Sequence, residues 1–167
     1  MSDAVDAVME QWRKERPELD VWPMGVVGRL SRLSRLLERE LKEFFAGHGL
    51  ENWEFDVLAT LRRSGSPYEL TAGALLRSAM VTSGAITNRI DRLEAKGLVE
   101  RVRTGHDRRS VSVRLTPRGL EIVDEVVALH VANEARLLAA LDPGERDQLA
   151  GSMRKLLESL GDAPPTA

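Results

Sequence analysis

At 167 residues with a formal net charge of −2 and no cysteine, the chain suits one domain with extensions and excludes disulfides, thiol redox sensing and Cys-ligated zinc. Aromatic residues are only 4% against 43% hydrophobic overall, so the core must rest on Leu, Val, Ile and Ala. No apolar run approaches the roughly 20 residues that span a bilayer, and the acidic opening MSDAVDAVMEQW lacks a basic n-region, so a cytoplasmic protein with no membrane partner is expected.

The first predicted element is an amphipathic helix from Asp3 to about Arg16, with Val5, Val8, Met9 and Trp12 at helical spacing. Pro17 and Pro23 bracket a break. A longer helix follows from about Met24 to Ala46, and Gly47 and Gly49 end it. Glu51 to Arg63 forms a third helix, closed by the turn Ser64-Gly65-Ser66-Pro67. Thr71 caps a short helix with Leu75 and Leu76. Thr82 or Ser83 caps the next, whose Ile86, Ile90 and Leu93 face inward and which Gly97 stops. Leu98–Arg103 and Ser110–Leu115 alternate as two antiparallel strands around a loop at Thr104–Arg109. Thr116-Pro117 opens a long apolar helix and Asp142-Pro143 opens a last one, with Leu149, Met153, Leu156, Leu157 and Leu160. The tail GDAPPTA is expected to be disordered.

Helix, turn, helix and a two-stranded ribbon tipped with arginines is the layout of a winged helix-turn-helix, which puts one helix in the DNA major groove. The bulk charge argues against nucleic acid, but charge is polarised along the chain. Between Arg101 and Arg118 six arginines stand against one acid, Asp107. Thr82, Ser83, Thr87 and Asn88 are small polar groups near the start of the second helix, suited to bases and phosphates, and Arg92 lies one turn on, within reach of a phosphate. The alternative is a solvated helix face. In the loop, arginines at a ribbon tip suit a narrow minor groove; the alternative is a tight turn with a surface ion pair worth about 0–1 kcal/mol. The terminal helices hold more apolar residues than one small winged domain needs, which points to a twofold homodimer on a pseudo-palindromic operator in double-stranded DNA.

The run SGAITNRIDRLEAKGLVER, the wing DRRS and the following RLTPRG resemble the MarR family of homodimeric winged-helix transcriptional regulators. The resemblance implies a mainly α fold with a small β wing, dimerised through N- and C-terminal helices. It divides the chain into an extra N-terminal helix and break (1–22), dimerisation helices (23–50 and 117–161), a DNA-binding region (51–116) and a tail (162–167). It implies that Arg109 enters the minor groove with Asp107 holding an arginine in place, and that Arg108 adds a phosphate or groove contact.

A narrower resemblance is to the PecS-like, urate-responsive branch, carried by Trp12 in EQWRKER, Asp56 in WEFDVLATLR, Arg89 in TNRIDRLE and Arg101 in GLVERVR. It implies an effector site for urate, xanthine or a related purine, and a repressor released from its operator by that ligand. Guanidinium forks suit a planar anion, Trp12 offers a flat wall, and Asp56 accepts an N–H or responds to the ligand's charge. Plain structural roles stand beside these: Trp12 fastening the extra helix, Asp56 paired with Arg89 or another arginine, Arg101 at a phosphate. A different aromatic or carboxylate effector is the alternative ligand, and a winged-helix protein-interaction module the alternative class. His48, His106 and His130 read as separated surface histidines without zinc-site spacing, and no nucleophile motif, P-loop or dinucleotide fingerprint appears. No enzyme, metal or cofactor is expected.

Overall fold

The computed structural model describes residues 2–78, 86–103 and 111–162. The elements in order are α1 (Ala4–Glu15), α2 (Trp22–Gly47), α3 (Asn52–Arg63), β1 (Glu69–Thr71), α4 (Ala72–Ser78), α5 (Ile86–Ala95), β2 (Val99–Arg103), β3 (Val111–Leu115), α6 (Pro117–Leu137) and α7 (Pro143–Ser159). They form two compact units, Met1–Glu43 and Phe44–Ala167.

In the first unit, α1 begins where the Asp3 carboxylate accepts the amide N–H groups of Val5 and Asp6 at 2.8 and 3.0 Å, and Asp6 accepts from the Asp3 N–H at 3.0 Å. The α1 helix lies on a notch in α2. A Cβ at Gly25 would sit 2.9 Å from Met9 Sδ, and one at Gly28 would sit 3.3 Å from Val5 Cγ1. Val5, Met9 and Val21 make the small buried cluster there. Arg29 closes the edge, with Nε 2.8 Å from Asp3 and Nη2 2.6 Å from Asp6. Backbone hydrogen bonds first, and this arginine second, hold both aspartates below the ordinary carboxylate range. The α2 helix starts at Trp22, earlier than the expected Met24, because proline is compatible with a first helical turn.

The second unit carries the winged-helix body. Its sheet has three strands, ordered β1–β3–β2, both pairs antiparallel. The expected two-stranded ribbon is thus corrected: Glu69–Thr71 add a strand that pairs Glu69 with Arg114 and Thr71 with Ser112. Thr71 ends that strand and caps α4, its hydroxyl accepting the Ala74 N–H at 3.1 Å. Ile86, Ile90 and Leu93 bury one face of α5 against a core that includes Val57, Leu58, Leu61, Leu75, Val99 and Val113. Gly97, at φ +69°, then turns the chain into β2.

The run LTPRG has a local reason. Thr116 Oγ1 accepts the Gly119 N–H at 3.0 Å and donates to the Gly97 carbonyl at 2.7 Å, while Pro117 fills the first turn of α6. Residue 119 must be glycine because a Cβ would fall 2.0 Å from the Leu98 carbonyl oxygen. Asp142 caps α7 in the same manner, accepting from Glu145 N–H at 2.9 Å. No residue of α7 is buried, and Met153, Leu156, Leu157 and Leu160 are exposed, as are Val127, Leu129 and Val131 on α6. Among the described residues no helix is long and apolar enough to cross a membrane.

Candidate nucleic-acid interface and effector site

Because α5 buries Ile86, Ile90 and Leu93, the helical period turns Thr87 and Asn88 outward, and both are exposed in its first turn. Thr82 and Ser83, and the wing residues Asp107, Arg108 and Arg109, lie outside the described residues. Arg92 is not held ready for a phosphate. Its Nη2 is 2.7 Å from Glu51 Oε1, and its guanidinium carbon stands 4.9 Å from the Trp53 ring centroid. The hydrogen bond from Arg92, with a second from the Trp53 indole N–H, holds the Glu51 carboxyl below its ordinary range.

Arg89 also lies over this indole, 5.4 Å from its centroid, and its Nη1 is buried without a hydrogen-bond partner. Asp56 is on α3. Solvent reaches the residue, but protein atoms crowd its carboxyl, and this burial pushes its pKa up against the pull of Arg63, Arg89 and His130. The plain Asp56–Arg89 salt bridge considered from sequence is absent: no ion pair within 4.0 Å joins them. Charges that act on each other without touching leave polar capacity unspent, which is what a ligand site requires.

Arg101 is differently placed. Its two terminal guanidinium nitrogens face Asp91 and Glu94, both on α5, and its backbone N–H donates to Glu94 at 3.3 Å. It therefore braces β2 to α5 and does not present an unoccupied fork. Trp12 belongs to the first unit, where it is 41% exposed.

Of the three histidines, His106 lies outside the described residues, His48 is exposed as expected, and His130 is half-buried. His48 and His130 both meet the Phe44 ring, at 4.7 and 5.9 Å between centroids, and His130 also packs on Phe45 and Phe55 at 5.1 and 5.0 Å. His130 Nε2 is 3.3 Å from Glu134 and its Nδ1 is buried and unpartnered.

A sequence profile described as the MarR family matches residues 48–110. The HTH-type transcriptional regulator PecS of Dickeya dadantii (strain 3937) is 40% identical over 156 residues, covering 93% of this chain and 94% of that protein. The chain belongs to the MarR family of transcriptional regulators. It is a PecS-type DNA-binding regulator and not an enzyme. Among solved MarR structures, a mutant MarR from E.coli complexed with operator DNA shares 26% identity with a TM-score of 0.69, covering 93% of this chain and 99% of that one. The MarR regulator Sco3205 from Streptomyces coelicolor, in complex with DNA, shares the fold at a TM-score of 0.77 with 23% identity, covering 87% and 91%.

Sequence reasoning missed the partners of this MarR-type helix: Glu51, Trp53, Glu54 and Lys96. A local signal existed for Glu54, which stands three residues after Glu51 at capping-box spacing and accepts its N–H at 3.0 Å. Nothing local could pair Glu54 with Lys96, which is 42 residues away.

Proposed function

We propose that the protein is a homodimeric, cytoplasmic repressor that leaves its operator when it binds a small planar anion such as urate or xanthine. Each protomer lays α5 in a major groove through Thr82, Ser83, Thr87, Asn88 and, once released from Glu51, Arg92. The wing follows the flanking minor groove through Asp107, Arg108 and Arg109. The exposed apolar faces of α6 and α7, with α2, pair the two copies, and twofold symmetry spaces the heads about one helical turn apart. Supporting the DNA reading, Thr87 and Asn88 face solvent on the side of α5 opposite its buried residues.

The observation that carries the effector reading is the buried, unpartnered Arg89 Nη1, with the Asp56 carboxyl near enough to act on Arg89 electrostatically but making no ion pair with it. A ligand with a donor for Asp56 and an anionic edge for Arg89 meets both needs. Arg101 serves the site through its brace on α5, so that a change at Asp56 and Arg89 reaches the reading head. The ligand favours the DNA-incompetent state, and the coupling is reciprocal: operator DNA weakens ligand binding.

A thermal-shift screen of urate, xanthine, hypoxanthine and aromatic carboxylates tests the ligand, since a binder raises Tm by mass action. Urate or xanthine should shift the wild type and not Arg89→Ala. A shift only with an aromatic carboxylate replaces the purine; no shift with any of them removes the effector site and leaves DNA binding intact. A footprint over the protein's own promoter tests the operator. Protection without preference for a pseudo-palindrome contradicts the twofold reading, and salt-insensitive or absent binding favours a protein-interaction module.

A further inference from the structure

Three cations share one stripe of α5 and its C-terminal extension: Arg89, Arg92 and Lys96, three and four residues apart. All three meet the start of α3. Arg89 and Arg92 sit over Trp53 and Arg92 pairs with Glu51, as described. Lys96 Nζ donates to Glu54 Oε2 at 2.6 Å and to the Gly49 carbonyl at 3.3 Å. Glu54 is the unusual member. Its side chain is 0% exposed, its Oε2 also accepts the Glu51 N–H at 3.0 Å, and its Oε1 is buried with no partner. A buried carboxylate persists only where a cation and hydrogen bonds compensate its lost hydration. Lys96 is the cation that does so.

The two kinds of contact on α5 differ in what they fix. Ile86, Ile90 and Leu93 hold the helix to the core, but apolar packing is non-directional and constrains tilt and roll weakly. A short charge-assisted hydrogen bond at one end of a helix is directional. It joins the C-terminal end of α5 to the first turn of α3, while Thr87 and Asn88 stand at the opposite end of α5.

We propose that the Glu54–Lys96 pair is a positioning pin that sets the angle at which α5 presents Thr87 and Asn88 to DNA, with Lys96 itself making no phosphate contact. This rests on the reading of α5 as the DNA-reading helix.

The test measures operator affinity over a salt series for full-length Lys96→Met, Lys96→Arg, Glu54→Gln and the Glu54→Gln/Lys96→Met double variant, each shown folded by circular dichroism at the assay temperature. Lys96→Met should weaken operator binding about tenfold, the order of a lost base contact, and leave the slope of log affinity against log salt unchanged. Lys96→Arg should retain binding. The double variant should lose no more than the worse single, because the two residues act as one; it also removes the unpaired buried charge, which keeps a foldable variant in the set. A salt slope smaller by about 0.9 in Lys96→Met makes Lys96 a direct phosphate contact and overturns the pin. Affinities within twofold of wild type overturn it as well. Thr87→Ala/Asn88→Ala separates the two layers. If that variant loses binding while Lys96→Met does not, the pin alone fails; if it binds as wild type, the reading of α5 fails and the pin with it.

Discussion

The winged-helix body and the last helix both carry several leucines, yet they place their apolar side chains differently. In the body Val57, Leu58, Leu61, Leu75, Leu93, Val99 and Val113 are fully or almost fully buried. In α7 nothing is buried, and Met153, Leu156, Leu157 and Leu160 lie in the open. Apolar content states how much surface a segment has to hide, not where it hides it. The body satisfies itself within one chain, whereas α7 and the outer face of α6 need a second copy under the proposed dimer.

Substitutions can break that comparison. The largest effect is expected in the body: Leu58→Ala should cost about 2–5 kcal/mol in urea unfolding, because a wholly buried side chain leaves a cavity. Gly119→Ala should cost about 1–3 kcal/mol or more, since its Cβ would meet the Leu98 carbonyl oxygen at 2.0 Å and the junction between α6 and β2 must shift. Leu157→Glu should change the stability of the protomer by only about 0.5 kcal/mol, yet abolish self-association by light scattering and the concentration dependence of Tm. If Leu157→Glu proved as costly as Leu58→Ala in dilute monomer, the contrast between the two regions would collapse.

The smallest effect sharpens the contrast inside the body, between charge that is matched and charge that is not. Burial raises the folded-state pKa of Asp56, so the folded chain binds that proton more tightly than the unfolded chain. Its contribution to stability is full below the ordinary carboxylate pKa of about 3.9 and is lost as pH rises through the raised folded value. Asp56→Asn, which imitates the protonated form, should therefore raise Tm slightly at neutral pH and give no gain in acid. A fall in Tm at pH 7 would show instead that Arg63, Arg89 and His130 outweigh the burial.

Much of this architecture was legible in the sequence because its signals are local. Thr71, Thr116-Pro117 and Asp142-Pro143 cap helices through bonds to residues three positions on, and the period of Ile86, Ile90 and Leu93 fixed the buried face of α5. β1 was not legible, since three residues carry no pattern of their own and exist as a strand only through pairing with β3. The site divides the same way. Thr87 and Asn88 follow from helical period, while the capture of Arg92 by Glu51 and of Lys96 by Glu54 depends on contacts 41 and 42 residues apart. Composition marked the six arginines from Arg101 to Arg118 as a basic stretch; of these, Arg101 and Arg114 each already face two carboxylates.

The most direct measurement is a urate titration of a preformed complex between the protein and its own promoter fragment, followed by fluorescence anisotropy, in wild type and Arg89→Ala. Release of DNA from the wild type, with the variant still bound at the same urate concentration, is the predicted result. A wild-type complex that urate leaves intact, or equal release from both proteins, would contradict an effector site built on Arg89 and Asp56.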